Sequence, residues 1–349
     1  MVLLKENAWV NVVAIFVIVV VGVVTYFKWA YKFWQRLGVP YLEPTIPFGN
    51  VQQVVLVQTS RGEVLAEQYK TAKAKGYKHV GLYGFTTPEY MPIDLNILKN
   101  ILVRDFNYFC DRGLYTNEKV DPLTAHLFLL TGNRWRKLRA KLTPTFTSGK
   151  MKTMFNAVVE CSQKLKQVMG VLHSQGPINI KNFLERFTTD VIGSCAFGLN
   201  CNSFDDPNML DEVMRKYPPL PILSRVCTID YKVPNIDLVL KKGTRVTIPL
   251  LGIQNDPEYF PEPEKFNPER FASKNKELIN QFCYMPFGEG PRVCIGLRFA
   301  FLQMKLGLSI LLKNYKFSIN EKTQLPLKMN PKPLVLSPIG SIWLNVEKV

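Results

Sequence analysis

The sequence predicts a mainly helical body with small β-sheets, an α+β class, carried behind one N-terminal transmembrane helix. Three observations predict it. Apolar residues recur at helical spacing over long stretches, as at Met151, Met154, Phe155, Val158 and Val159. Strand-like runs, rich in Val, Tyr, Phe and Thr with turn residues between, are confined to 78–95 and 226–251. Helix and strand signals do not alternate as a parallel sheet with crossover helices would require.

Taken in order, residues 8–27 are an almost unbroken apolar run, interrupted mainly by Asn11. At about 1.5 Å per residue, roughly 20 residues cross a bilayer core of about 30 Å. Lys28, Lys32 and Arg36 follow the run, while Lys5 and Glu6 cancel before it, which places the N-terminus across the membrane and the rest in the cytosol. The run is too long for a signal-peptide core and lacks a small-residue cleavage exit, so an anchor is expected over residues 1–29. Pro40, Pro44 and Pro47 then stiffen a hinge over 30–50. Ser60 and Glu63 have capping-box spacing for a helix to about Lys75. A basic helix is expected at 131–142, a long amphipathic one at 149–172, another at 182–199, and one from just after Cys294 to about Leu312. Residues 51–349 are expected to form one domain.

The chain has 44 Lys and Arg against 28 Asp and Glu, a net of +16. Such an excess favours acidic partners or anionic lipid. Nucleic acid is not expected as a partner, since no zinc-finger spacing, helix-turn-helix or RNA-binding aromatic pattern occurs. The 7 cysteines are an odd number, without CxxC pairs, in a chain of 349 residues that needs no disulfides. Most are expected to be small buried hydrophobes in a reduced compartment. The three histidines are scattered and are expected in the surface or core.

Cys294 has a different setting, the run Phe287-Gly288-Glu289-Gly290-Pro291-Arg292-Val293-Cys294-Ile295-Gly296. Glycines allow the loop to turn tightly against a flat ring. A helix N-terminus after the cysteine would hold a thiolate. Gly296 would let backbone donors approach the sulfur, Phe287 would screen it, and Arg292 could meet a carboxylate with a planar fork. A phosphate loop is excluded, because no GKS or GKT follows. A buried structural cysteine is the bland alternative.

This run resembles the FxxGxRxCxG signature of the cytochrome P450 superfamily at every fixed position. Glu212 to Arg215 resembles its ExxR helix, Pro268 to Phe271 its PERF loop, and Trp135 with Arg139 the WxxxR of its C helix. The likeness is nearest to insect microsomal members that metabolise drugs and toxins. It implies haem b with Cys294 as iron ligand, and Phe287, Gly290, Arg292, Gly296, Trp135 and Arg139 around the cofactor. Arg112 and Arg225 resemble further propionate contacts, and Glu212, Arg215 and Arg270 a structural triad. It also implies an NADPH-cytochrome reductase as electron donor, cytochrome b5 as a further one, lipophilic substrates, membrane lipid, and the endoplasmic reticulum membrane. Arg134, Arg136, Lys137, Lys141, Arg298 and Lys305 would face the reductase.

One departure stands out. The stretch resembling the end of the E helix passes almost at once, near 208–211, to the stretch resembling the K helix. The central F-to-J helices are therefore expected to be missing, and with them the acid and Thr of the I helix, leaving no certain catalytic residue. Two readings follow: a monooxygenase, or a non-catalytic splice or gene-model product that binds haem weakly or folds in part.

Overall fold

The computed structural model describes residues 2–197 and 207–349. In chain order it forms α1 (Val2–Ala30), α2 (Arg61–Ala74), β1 (His79–Gly84), β2 (Thr87–Pro92), α3 (Gly132–Leu142), α4 (Ser148–Leu172), β3 (Ile178–Asn179) and α5 (Ile180–Phe197). There follow α6 (Pro207–Lys216), β4 (Leu223–Val226), β5 (Tyr231–Lys232), β6 (Val239–Leu240), β7 (Arg245–Ile248), α7 (Leu297–Asn314), β8 (Tyr315–Ile319) and β9 (Trp343–Lys348). The expected end of the fifth helix at 198–199 lies outside the described residues. Helices and small sheets make an α+β chain, as the periodicity predicts.

The chain forms two compact units. One comprises Met1–Gly113 with Ile222–Gly252, the other Leu114–Pro221 with Ile253–Val349.

The first unit is built on a four-stranded sheet in the order β1-β2-β7-β4. Nearly every β1 side chain is buried, so both faces of the strand are covered. α2 starts at a complete capping box: Glu63 N–H donates to Ser60 Oγ, and Ser60 N–H donates to the Glu63 carboxylate. Two orphan helix donors are thereby satisfied, as the Ser-x-x-Glu spacing predicts. α1 contains an apolar span, Trp9–Ala30, with a mean hydropathy of 2.7.

The proline-rich segment after α1 is bound along β1 and does not hang free as a hinge. Trp34 is buried, and its indole N–H donates to Leu82 O at 2.9 Å. Tyr83 Oη–H donates to Tyr31 O at 2.6 Å. Gly81 N–H donates to Pro40 O, Leu42 N–H to Gly81 O, and Asn50 N–H to Tyr83 O. Gly81 is required, because a Cβ there would sit 2.3 Å from the Trp34 ring. Proline removes the option of helix, and the strand edge then takes the remaining backbone donors.

In the second unit α4, α5 and α7 pack around Phe155, Val158, Phe183, Phe187, Val191, Leu306 and Leu311. These positions are the apolar stripes that the 3.6 period exposes. A three-stranded sheet, β3-β9-β8, closes one side through Val346. Beside α4 and α5 lies a cavity of about 510 Å³ lined by Leu165, Val168, Phe183 and Phe187, with Lys164 and Arg186.

Candidate functional site

The loop from Phe287 to Gly296 lies in the second unit and leads into α7. Gly288 and Gly290 both have positive φ, 76° and 74°. A side chain in that backbone region is disfavoured, so the sequence predicts these turns correctly. Cys294 N–H donates to Phe287 O at 2.9 Å and closes the loop. The Phe287 ring packs on Phe301 of α7, centroids 5.3 Å apart, and so braces the loop against the helix that follows.

Cys294 is exposed, whereas Cys110, Cys161, Cys227 and Cys283 are buried. Cys227 is a structural thiol: burial pushes its pKa up to about 11, against a hydrogen bond to Ile229 O. The side chains of Cys195 and Cys201 lie outside the described residues.

One sequence expectation about the cysteine needs correction. α7 begins at Leu297 with Gly296 as its N-cap, so Cys294 lies three residues before the helix and its own N–H is already spent on Phe287. The tight 3₁₀ turn Gly290–Arg292 decides this, by folding the chain back before the helix can start. Gly296 itself takes an ordinary backbone conformation. Its φ is −92°, and a Cβ would make only ordinary contact with Phe146 at 3.7 Å.

Trp135, Arg139 and Arg292 come together beside this loop. Arg292 is buried, lies 4.1 Å over the Trp135 ring, and donates to Leu127 O and Leu130 O at 3.3 and 2.7 Å. Its buried charge is thus carried by carbonyl dipoles and a π-face. Arg139 donates to Val293 O at 2.8 Å. Burial lowers the Arg139 pKa, and the neighbouring Cys294 sulfur acts in the opposite sense. Arg139, in the last turn of α3, and Arg292, against Trp135 and the segment before α3, therefore tie both to the cysteine loop.

The triad expected from the ExxR and PERF strings is assembled in the same unit. Arg215 donates to both Glu212 oxygens at 2.8 and 2.9 Å, and both side chains are fully buried. Arg270 Nε lies 3.6 Å from Glu212 Oε1. Further residues complete the set that sequence reasoning missed. Arg215 also donates to Gln254 O, Asn255 Oδ1 and Pro263 O, and Asn267 N–H donates to Glu212 Oε1. Gln254 Nε2 donates to Met214 O and Arg215 O, while its Oε1 accepts from Met285 N–H. Gln254 thus links the triad to the strand of chain entering the cysteine loop. Tyr284 Oη–H donates to Asp211 Oδ1 at 2.7 Å; burial raises its pKa, reinforced by that carboxylate. No spacing in the sequence marks Gln254, Asp211 or Tyr284, because their partners are distant along the chain.

Arg112 and Arg225 lie in the first unit. Asp111 pairs with Val226 across a β-bridge, which makes the two arginines neighbours. Arg225 is buried and donates to Ser224 O at 2.8 Å. Among the described residues no group of three or more His, Cys, Asp or Glu is arranged to hold a metal ion.

A family model described as Cytochrome P450 matches residues 40–211 and 207–346. The chain belongs to the cytochrome P450 family. Cytochrome P450 6j1 of Blattella germanica is 29% identical over 493 residues, covering 97% of this chain and 98% of that protein. Cytochrome P450 6A1 of Musca domestica is 28% identical, covering 92% and 95%, and Cytochrome P450 6k1 of Blattella germanica 26%, covering 100% and 99%. The alignment with the first of these runs over 493 positions, whereas this chain has 349 residues, and the two family matches overlap at 207–211. Family membership makes haem the cofactor and places the protein among the monooxygenase oxidoreductases. Such enzymes draw electrons from a redox partner and act on lipophilic substrates.

Proposed function

We propose that this protein is a haem-thiolate monooxygenase of the microsomal type that oxidises xenobiotics and other lipophilic molecules, with Cys294 as the axial ligand of the haem iron. The observation that carries the reading is the exposed Cys294 sulfur on a loop closed by its own N–H bond to Phe287 O. The donor set fits the cofactor: one accessible soft ligand, with two arginines on the adjoining segments to balance its charge. Bound haem supplies a thiolate-ligated iron that activates dioxygen once electrons arrive.

The chain's own residues do the rest. Gly288 and Gly290 shape the loop, and Phe287 and Gln254 hold its entry in place. Arg292 and Arg139, which flank Trp135 beside the cysteine loop, are assigned to the propionates. Arg112 and Arg225 are assigned the same role on the strength of resemblance. Glu212, Arg215 and Arg270 hold the loop without touching the cofactor. Exposed Arg134, Arg136, Lys137 and Lys141 on α3, with Arg298, form the face assigned to an NADPH-cytochrome reductase and to cytochrome b5. α1 holds the protein at the endoplasmic reticulum membrane with its body in the cytosol. Residues 1–29 are read as anchor and 208–211 as the junction where the central helices are absent.

The test is the carbon-monoxide difference spectrum of the reduced, purified chain loaded with haem. Cys294→Ala should lose the thiolate-type Soret band, while Cys283→Ala keeps it. An unchanged band in Cys294→Ala overturns the assignment. A second reading, a non-catalytic product, is favoured by one observation, an alignment of 493 positions against a chain of 349 residues. It predicts weak haem retention in the parent chain itself.

A further inference from the structure

The cavity beside α4 and α5 is built by two helix stripes that continue past the core they share. Cys161, Leu165, Val168 and Leu172 follow one another at i, i+4, i+7 and i+11 on α4, and all four line it. Phe183 and Phe187 line it from α5, and Ile178 from β3. Cys161, Leu165, Ile178, Phe183 and Phe187 are buried, while Val168 keeps 41% exposure, so apolar surface runs from the floor out to the mouth. The floor is firm: Phe187 packs so closely on α7 that a Cβ on Gly307 would sit 2.7 Å from its ring.

At about 510 Å³ the cavity has the size of a small-molecule site, which typically spans about 300–1,000 Å³. Its charge has one sign. Lys164 and Arg186 line it and both are exposed, and among the described residues no Asp or Glu lines it. Long basic side chains lay their stems along apolar surface and keep the charged head in water. That sets the two cations at the rim, with the apolar side chains beneath them.

An apolar interior beneath two cations selects an amphiphile with an anionic head. A cationic head is repelled at the rim, and a neutral one gains only from the interior. A carboxylate meets the arginine fork with both oxygens, and the lysine ammonium adds a point charge beside it. From Cys161 to Leu172 the α4 stripe is about 16 Å long, at about 1.5 Å per residue. A surface of that form suits an extended alkyl chain better than a compact ring system.

We propose that this cavity binds a fatty acid, its alkyl chain along Cys161, Leu165, Val168 and Phe187 and its carboxylate held at the mouth by Arg186 and Lys164. None of the residues assigned to the haem lines the cavity, so the site is additional to the one at Cys294 and does not rest on that assignment. An occupant covers apolar surface between α4 and α5 and stabilises the second unit in step with its occupancy.

Cys161 gives the site its own reporter, because it lines the cavity and is buried there. The full chain in phosphatidylcholine vesicles is treated with iodoacetamide, and alkylation of the peptide bearing Cys161 is followed by mass spectrometry. Dodecanoate should slow that reaction roughly tenfold more than dodecanol or dodecylammonium at the same concentration, the scale of a charge-assisted contact. Lys164→Gln combined with Arg186→Gln, both at exposed positions, should bring dodecanoate down to the level of dodecanol. Equal protection by dodecanol and dodecanoate overturns the carboxylate assignment. Dodecanoate protection that survives the double variant overturns the part given to the two cations. A Cys161 rate that dodecanoate leaves unchanged, or a thiol that the reagent does not reach, overturns the site. The readout involves no haem, so its result stands apart from that of the Cys294→Ala spectrum.

Discussion

Arg215 has all three guanidinium nitrogens engaged, on Glu212 and on three groups of the chain from 254 to 263. Removing it strands a fully buried carboxylate, and breaking one partner of such a pair costs about 3–5 kcal/mol. Arg215→Leu should lower the urea midpoint accordingly, and Arg270→Ala by less, since Glu212 keeps its bidentate partner. Equal losses would show that the two arginines act as one unit. His79 makes a prediction in pH. It is buried on β1 with Nδ1 lacking a hydrogen-bond partner, and burial lowers its pKa below 6.5. The unfolded chain therefore binds the proton first. Stability is full above about pH 6.5 and falls as the pH drops from there through the lowered folded value. His79→Leu should flatten the stability difference between pH 7.5 and pH 5.5 in urea titrations, and an unchanged difference would assign it to other groups.

At the scale of elements, the strap and α2 are held by different physics. α2 carries its start signal locally, so Ser60→Ala should cost about 1 kcal/mol by removing one capping acceptor. The strap has no local signal and depends on Trp34 reaching the strand. Burial of an indole removes some 200 Å² from water, worth about 5 kcal/mol before ordering is counted. Gly81→Ala places a methyl where the ring sits and should cost about 1–3 kcal/mol. It should also open residues 37–50 to limited proteolysis, whereas Gly22→Ala, with nothing within 4 Å, should not. Cleavage that stays unchanged in Gly81→Ala would mean the strap is held by its backbone bonds alone.

For the whole molecule, the decisive quantity is what the further length of the relatives contributes in them. Several hundred Å² of apolar surface, at about 25 cal/mol per Å², is comparable with a net stability of about 5–15 kcal/mol. On the second reading, the chain reconstituted with reductase and NADPH should consume reducing equivalents mostly as hydrogen peroxide, with little hydroxylated product. Tightly coupled turnover of any lipophilic substrate would show that the short form encloses its site by another route.

The sequence by itself determined what is written in short windows. The apolar span, the capping box at Ser60 and Glu63, the helical stripes of α4 and α7, and the glycine turns before Cys294 all depend on neighbours within a few residues. So did the pairing of Glu212 with Arg215, one turn apart on a helix. The tertiary structure alone decided the rest. Gln254 joins the triad to Met285, Trp34 turns a proline-rich stretch into a bound strap, and Arg292 and Arg139 give their donors to carbonyls at 127, 130 and 293. Each of these unites residues 31 to 165 positions apart. Local spacing carries no information about such pairs, because a buried donor takes whichever acceptor the folded backbone brings within about 3 Å.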